Sequence, residues 1–163
     1  MVLDVKKLLN SKEGTAQDSF ETELAELDFP TGFALESPVR VDYQAHREGE
    51  QAAVHLVITC PAVIICDRCL ERVEREYRYE MDYLFDERDW NNPEPEFPFD
   101  AFGRLDLERL CYDELLLNLP SSLLCSEDCE GLCPVCGKPV KAGCSCRQNV
   151  GDDRLSILKQ LLS

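Results

Sequence analysis

The chain has 163 residues, enough for one ordinary domain or for a main domain with a small metal-held appendage. Apolar residues make up 44% of it and charged residues 30%, a composition that predicts a globular protein and excludes a wholly disordered one. Acidic side chains number 32 against 17 basic ones, and the net charge of −15 favours a basic partner over a phosphate backbone, unless the acidic surface serves only solubility.

The N-terminal segment predicts a short helix and a cytoplasmic protein. Asp4 can cap a helix that carries Val5, Leu8 and Leu9, and the polar residues 10–14 would end it. This segment becomes polar too soon for a signal peptide. Since no stretch has the roughly 20 apolar residues of a membrane helix, we expect no membrane partner.

Residues 17–85 alternate in the manner of an antiparallel sheet. A turn at residues 48–50 separates two runs of alternating apolar residues: Val39, Val41 and Tyr43 before it, and Val54, Leu56 and Ile58 after it. The clearest period of two residues follows, with one side of the strand formed by Val73, Tyr77, Tyr79, Met81, Tyr83 and Phe85. One face of the sheet should therefore pack on a core while the other faces water.

Between these strands the period breaks at Cys66 and Cys69, where a tight turn would present two thiols on one side. The pattern places Cys60, which precedes Pro61, at the end of a strand. We expect its thiol to be packed in the core. Because metal-binding knuckles occupy such turns between strands, we expect Cys66 and Cys69 to serve as metal ligands.

Residues 86–103 combine acids and prolines without a visible period, which predicts a loop or a partly disordered excursion. Four aromatic side chains can anchor it on the core or, alternatively, bind a partner: Trp90, Phe97, Phe99 and Phe102. The acidic stretch from Glu80 to Glu114, which contains Arg88, Arg104 and Arg109, is the region expected to meet a basic protein, with a plain solvated face as the alternative.

A helix is predicted from Asp106, which can cap it, to Leu119, with Pro120 as its stop. Its C-terminal half is apolar nearly all round, so we expect it to be buried against the sheet, with Cys111 packed in the core. Asp152 or Asp153 then caps a last helix with an apolar stripe formed by Leu155, Leu158, Leu161 and Leu162.

These elements predict an α+β fold: an antiparallel β-sheet domain with a buried helix, followed by a Cys-rich, zinc-ribbon-like segment. The expected domains are residues 1–120, which hold the N-terminal helix, the sheet, the knuckle and the buried helix, and residues 121–163, which hold the Cys-rich segment and the C-terminal helix. No internal repeat is evident in the sequence.

Ten cysteines in a chain without a secretion signal favour metal ligands over disulfides. Cys133 and Cys136 form a C-x-x-C turn followed by Gly137, and a C-x-C pair at Cys144 and Cys146 can complete a tetrahedral four-sulfur site. The chain between these four thiols is short, so they can form a single local unit.

The favoured partition leaves a second four-sulfur site with these members: Cys66, Cys69, Cys125 and Cys129. The rival partition places Cys66 and Cys69 with Cys133 and Cys136, and leaves the remaining two pairs for the other ion. Four thiolates leave no open coordination position, so we expect two structural Zn²⁺ ions per chain. Iron and a thiol redox switch at Cys66 and Cys69 are the alternatives.

The sequence gives little support to catalysis. His46 and His55 are its two histidines, and both fall on predicted strands, where a cross-strand surface role is expected. The carboxylates are many but lack an apolar setting that would shift their pKa values. Neither a Gly-rich phosphate loop nor a G-x-S-x-G or H-E-x-x-H motif is present, so we expect no enzyme and no small-molecule substrate.

Three motifs in this order resemble the YceD family: CDRCLE at 66–71 after a strand, a helix that opens at Asp106 and ends LLLNLP at 115–120, and CSEDCEGLCPVCG at 125–137. The resemblance covers the chain from about residue 38 to its end. It implies that the wider family shares one set of four metal ligands: Cys66, Cys69, Cys125 and Cys129. It also implies that Cys133, Cys136, Cys144 and Cys146 form the extra ribbon of cysteine-rich members. The chain departs from the relatives at 138–140, which affects only a turn.

The resemblance implies a ribosome-biogenesis factor, since members of that family are needed for normal levels of large-subunit (23S) ribosomal RNA. Such a factor would bind either a basic ribosomal or rRNA-processing protein or the rRNA itself. Direct RNA binding has less support, because no basic strip with interleaved aromatics appears in the sequence. The alternative hypothesis is a zinc- or thiol-responsive regulatory protein.

Overall fold

The computed structural model describes residues 1–11, 14–24 and 29–146, and it has the predicted α+β architecture with antiparallel sheets. The strands are β1 (Val2–Asp4), β2 (Thr15–Thr22), β3 (Phe33–Leu35), β4 (Val39–Glu48), β5 (Gln51–Ile65), β6 (Arg72–Phe85) and β7 (Arg104–Asp106). The helices are α1 (Val5–Asn10), α2 (Glu87–Trp90) and α3 (Leu107–Asn118), with a 3₁₀ turn at Val140–Ala142. None of the helices in these ranges is long and apolar enough to cross a membrane.

The main sheet is built around β5, which pairs with β4 and β6 as antiparallel neighbours. β2 extends the sheet beyond β4, and β3 pairs with the far end of β5 at residues 62–64. Alternation along β5 buries one row of side chains: Ala52, Val54, Leu56, Ile58, Cys60, Ala62 and Ile64. Helices α1 and α3 contribute to the core on this face, and the polar positions of the strands lie on the other face.

The predicted hairpin is confirmed, with Glu48 paired to Gln51 across a two-residue turn. Gly49 has a φ of +65°, which a tight hairpin turn requires and glycine adopts readily. The next connection, between β5 and β6, is the turn that carries Cys66 and Cys69, so the end of this hairpin presents both thiols.

The N-terminal helix is also confirmed, because the Asp4 carboxylate accepts the Lys7 N–H at 2.8 Å and caps α1. Just before it, β1 pairs with β7 in a two-stranded sheet that alternation had not predicted. Each of these strands has three residues, too few to establish a period of two. The pair fixes the N-terminus beside the start of α3.

Residues 86–103 contain more structure than the predicted loop, because α2 closes a capping box. The Asp86 carboxylate accepts the Arg88 N–H at 2.9 Å, and the Asp89 carboxylate accepts the Asp86 N–H at 2.6 Å. Three of the four predicted anchors are correct: Trp90 is buried, and Phe97 and Phe99 pack against the core.

The fourth anchor, Phe102, is a wrong prediction, since its side chain is 68% exposed. The reason is local, because the Asp100 carboxylate accepts the N–H groups of Phe102 and Arg104 at 2.9 and 3.0 Å. This turn directs the Phe102 ring outward, where the Arg104 guanidinium lies 5.4 Å from its centroid.

Cys60 does not end a strand as predicted, because β5 continues through Pro61 to Ile65. Pro61 lies between Thr59, the last β5 residue paired with β4, and Ala62, the first paired with β3. On this side of β5, Pro61 has no partner strand to which an N–H would donate, so proline is tolerated there.

Helix α3 follows its predicted bounds, with Asp106 accepting the Glu108 and Arg109 N–H groups. Its C-terminal half is less buried than predicted, because Leu116 and Leu117 are exposed while Leu115 is in the core. The sheet covers only one side of this short helix. The predicted helix at 152–162 lies outside the described residues, and the division of domains at residue 120 stays a prediction.

Candidate metal centre

Cluster one consists of Cys66, Cys69, Cys125 and Cys129, whose sulfur atoms all lie within 4.8 Å of one another. The Cys66 and Cys129 sulfurs are 3.7 Å apart, and the Cys69 and Cys125 sulfurs are 3.6 Å apart. Three of the four residues are buried, and Leu124 and Leu132 pack against them. Cluster one is thus an enclosed site between the sheet and the downstream chain.

The first half of cluster one is a knuckle held by two backbone hydrogen bonds. The Leu70 N–H donates to the Cys66 carbonyl at 2.8 Å, and the Cys66 N–H donates to the Glu71 carbonyl at 2.9 Å. Leu70 has a φ of +59°, the one positive value at a non-glycine position among the described residues. The turn thereby aims both thiols at one point despite an unfavourable backbone conformation.

The second half of cluster one is tied to the knuckle by a reciprocal pair of hydrogen bonds. The Asp67 N–H donates to the Leu123 carbonyl at 2.8 Å, and the Leu123 N–H donates to the Asp67 carboxylate at 2.7 Å. Sequence reasoning had not assigned Asp67 a role. Its position inside a C-x-x-C turn was the available signal, because polar groups beside metal ligands often orient the site through hydrogen bonds.

Cluster two consists of Cys133, Cys136, Cys144 and Cys146, whose sulfurs again lie within 4.8 Å of one another. The Cys136 and Cys144 sulfurs are 3.5 Å apart. The Gly137 N–H donates to the Cys133 carbonyl at 2.8 Å, and Gly137 has the positive φ, +69°, that its position predicted. Cys133 is buried and Cys136 exposed, so cluster two is more open to water than cluster one.

The structure groups the eight cysteines as the favoured partition predicts, and the rival grouping is wrong. Cys60 and Cys111 stand apart as buried core residues, which confirms their predicted packing role. Burial raises the pKa of Cys60 to about 11 and that of Cys111 to about 12, so both remain protonated at neutral pH.

The donor set fits a tetrahedral metal ion. Four sulfurs bound to Zn²⁺ at about 2.3 Å would be about 3.8 Å from one another. Three sulfur pairs are 3.5–3.7 Å apart, and all sulfurs of each cluster lie within 4.8 Å of one another. These separations exclude disulfides, in which the sulfurs are about 2 Å apart. The two clusters can therefore hold metal ions, and their geometry is compatible with zinc.

One thiol in each cluster is already acidic. Burial opposes ionisation of Cys66, but backbone N–H donors from Cys125, Cys69 and Arg68 lower its pKa to about 6. The N–H groups of Cys136 and Val135 lower the pKa of Cys133 to about 6 as well. The thiolate, the form in which cysteine binds a metal, is thus favoured at Cys66 and Cys133, while the pKa values of Cys69 and Cys146 are raised beside the neighbouring sulfurs.

The two histidines lie on the sheet away from these clusters. His55 Nδ1 is 2.8 Å from the carboxylate of Asp82, its direct cross-strand neighbour on β6. His46 lies on β4, where Thr15 and Ala53 are its cross-strand neighbours. This arrangement agrees with the predicted cross-strand surface role.

The acidic stretch from Glu80 to Glu114 has its arginines engaged internally. Arg88 pairs with Asp86, Arg104 with Asp100 and Arg109 with Asp113. An open groove beside the β4–β5 turn collects further carboxylates and is lined by Glu48, Glu50, Gln51, Asp86, Glu87 and Arg88. The surface on this side is therefore predominantly negative.

Comparison with known proteins gives a family and several relatives. Uncharacterized proteins of Mycobacterium bovis and Mycobacterium tuberculosis are each 32% identical over 127 residues, which cover 75% of this chain and 61% of their own length. An uncharacterized protein of Mycobacterium leprae is 29% identical over 115 residues, 62% of this chain and 48% of its own length. The chain thus spans less than two thirds of the length of these relatives. No solved structure matches it.

The family model described as "Large ribosomal RNA subunit accumulation protein YceD" matches residues 54–162. The matched range begins within β5 and includes the knuckle, β6, α3 and all eight clustered cysteines. The motifs that suggested the resemblance lie inside it. This chain belongs to the YceD family.

Proposed function

We propose that the chain is a non-enzymatic, cytoplasmic ribosome-biogenesis factor needed for accumulation of 23S ribosomal RNA, and that it acts by binding. The observation that carries the proposal is the family match over residues 54–162, whose description names accumulation of the large ribosomal RNA subunit. The sequence has neither a Gly-rich phosphate loop nor a G-x-S-x-G or H-E-x-x-H motif, in keeping with a binding role.

The proposal gives each cysteine cluster one structural Zn²⁺ ion. Four thiolates would fill the coordination shell of each ion, so no position would remain for a substrate or an activated water. The ion in cluster one would join the turn after β5 to the chain beyond α3, and the ion in cluster two would hold the local ribbon. The metal would thereby shape the binding surface and take no part in chemistry.

The proposed partner is a basic ribosomal or rRNA-processing protein, with large-subunit rRNA as the alternative. The net charge of −15 and the carboxylate-lined groove beside the β4–β5 turn support a basic protein. The three arginines of the acidic stretch from Glu80 to Glu114 already pair with carboxylates, which leaves them less available to phosphates. The zinc- or thiol-responsive regulator gains no support from the family description.

Depletion of the protein followed by profiling of ribosomal RNA tests the function. We expect 23S rRNA to fall relative to 16S rRNA and to recover when the wild-type chain is supplied. A chain in which Glu48, Glu50 and Glu87 are replaced by Gln should restore less, because it lacks charge for a basic partner. A matched chain with Asp18 replaced by Asn and with Glu21 and Glu23 replaced by Gln should restore fully, because these exposed acids lie on or beside β2. Unchanged 23S rRNA on depletion would refute the proposal.

A further inference from the structure

Cluster one depends on two segments that are far apart in the chain. The sulfur pairs that meet there are separated by 63 residues for Cys66 and Cys129, and by 56 for Cys69 and Cys125. Closing such a loop opposes metal binding, because the downstream segment must first be brought to the knuckle. Contacts that hold the segment in place without the metal would reduce that penalty.

Two arginines make such contacts, one to each downstream ligand. The Arg68 guanidinium donates to the Cys129 carbonyl at 2.9 Å from inside the knuckle. The Arg75 guanidinium, on β6, donates to the Cys125 carbonyl. Both cysteines that arrive from beyond α3 are thus held through their own backbone, one by a side chain of the knuckle and the other by a side chain of β6.

The remaining contacts show how closely this segment approaches the knuckle. Gly131 has a φ of +77°, and a Cβ atom there would lie 3.1 Å from the Arg68 carbonyl oxygen. Glycine therefore permits the backbone beyond Cys129 to pass directly over Arg68. Arg68 thus contacts this segment twice, through its guanidinium at Cys129 and through its backbone at Gly131.

Charge gives the two arginines a second role. A Zn²⁺ ion with four thiolates carries a formal charge of about −2, in a protein that is already strongly acidic. Other arginines of the same region neutralise carboxylates: Arg72 pairs with Glu36 and Arg78 with Glu80. Arg68 and Arg75 form no salt bridge in the described part of the chain, and their guanidinium groups contact the backbone of two cluster-one cysteines instead.

We propose that Arg68 and Arg75 are positioning residues for the metal ion of cluster one, which they preorganise by holding Cys129 and Cys125 and stabilise by their charge. This inference rests on the proposed metal-binding role of the cluster. Groups that orient metal ligands in this way typically change metal affinity by about 10- to 100-fold when they are removed.

The test measures zinc affinity of the full chain by competition with a chelator. In a chain with Cys133→Ser and Cys136→Ser, which leaves only cluster one, we expect Arg68→Gln with Arg75→Gln to weaken zinc binding about 10- to 100-fold. The matched control, Arg72→Gln with Arg78→Gln, removes two neighbouring charges from the same strand region and should leave the affinity within about twofold. Lysine at 68 and 75 should restore part of the loss.

Cluster two distinguishes a positioning role of the two arginines at cluster one from a general loss of structure. With all cysteines present, the Arg68→Gln, Arg75→Gln chain should lose zinc from cluster one while cluster two keeps its affinity. Equal affinity in this variant and in the Arg72, Arg78 control would overturn the positioning role alone. A wild-type chain that binds no zinc at either cluster would overturn the metal sites as well, so the two failures are distinguishable.

Discussion

At the residue scale, Leu70 and Gly137 occupy the same position in two similar turns. Each follows the second cysteine of a C-x-x-C pair, donates its N–H to the carbonyl of the first cysteine at 2.8 Å, and has a positive φ. Glycine adopts this conformation readily, whereas it costs leucine about 1–2 kcal/mol. The paired strands β5 and β6 on either side of the turn therefore hold the Leu70 backbone in this unfavourable conformation.

Gly137 gives a direct test of this backbone requirement in cluster two. A Cβ atom at Gly137 meets nothing within 4 Å, so alanine there changes only the backbone preference. We expect Gly137→Ala to weaken zinc binding at cluster two about tenfold, which corresponds to roughly 1.4 kcal/mol. Competition with a chelator measures the zinc affinity of cluster two, and Lys138→Ala, at the next position, is the control. Equal affinities for the two variants would contradict the requirement.

At the element scale, α2 shows how capping can produce a helix that composition conceals. One turn of helix is ordinarily marginal, and residues 86–103 are rich in acids and prolines. The reciprocal hydrogen bonds of Asp86 and Asp89 satisfy N–H groups at the start of α2, and burial of Trp90 fixes its end. Sequence reasoning predicted the Trp90 contact but missed the capping box, because it treated the acids as solvated.

Asp86 makes this element sensitive to pH. Hydrogen bonds from the Arg88 side chain and backbone hold the Asp86 pKa well below its usual range. A carboxyl with a lowered folded-state pKa contributes stability above the unfolded pKa of about 4, and that contribution is lost as the pH falls toward the folded value.

We therefore expect Asp86→Asn to lower the free energy of unfolding by about 1 kcal/mol at pH 7, because asparagine can still cap α2 but carries no charge. The difference from the wild type should shrink as the pH is lowered from 5 to 3. Urea unfolding across this pH range measures the difference in the free energy of unfolding, and Glu94→Gln, at an exposed position, is the control. A difference that is constant with pH would show that the Asp86 charge is not responsible.

At the scale of the whole molecule, the two clusters have different consequences for the fold. Cluster one joins the turn between β5 and β6 to the segment after α3, whereas cluster two closes only a local ribbon between Cys133 and Cys146. Cluster one is also the more buried of the two. Its metal ion would therefore constrain the whole chain, and that of cluster two would constrain only the ribbon.

Replacing one pair of cysteines at a time tests this difference. Cys66→Ser with Cys69→Ser should reduce the zinc content from two ions to one and lower the free energy of unfolding by about 2–4 kcal/mol, comparable to opening a long covalent loop. Cys133→Ser with Cys136→Ser should also remove one ion but leave the unfolding of the sheet within about 0.5 kcal/mol of the wild type.

Elemental analysis and urea unfolding provide the two measurements, and Cys60→Ala with Cys111→Ala is a control that should keep both ions. Similar losses of stability from the two pairs would contradict the division of roles. Iron in place of zinc in the purified chain would leave the geometry intact but change the proposed metal.

The sequence by itself determined the features that depend on neighbours along the chain. Alternation placed β4, β5 and β6, Asp4 and Asp106 marked the starts of α1 and α3, and the spacing from Cys133 to Cys146 indicated a local four-sulfur site. Each of these patterns is set by backbone geometry over a few residues, so the local order of side chains is enough to reveal it.

Only the tertiary structure decided which distant residues meet. Spacing left two partitions of the cysteines open, and the register of β6 on β5 together with the Asp67–Leu123 contacts brings Cys125 and Cys129 to the knuckle. The three-residue strands and the passage of β5 through Pro61 also depend on what lies opposite each segment. Such contacts arise from packing between remote parts of the chain, which no local period encodes.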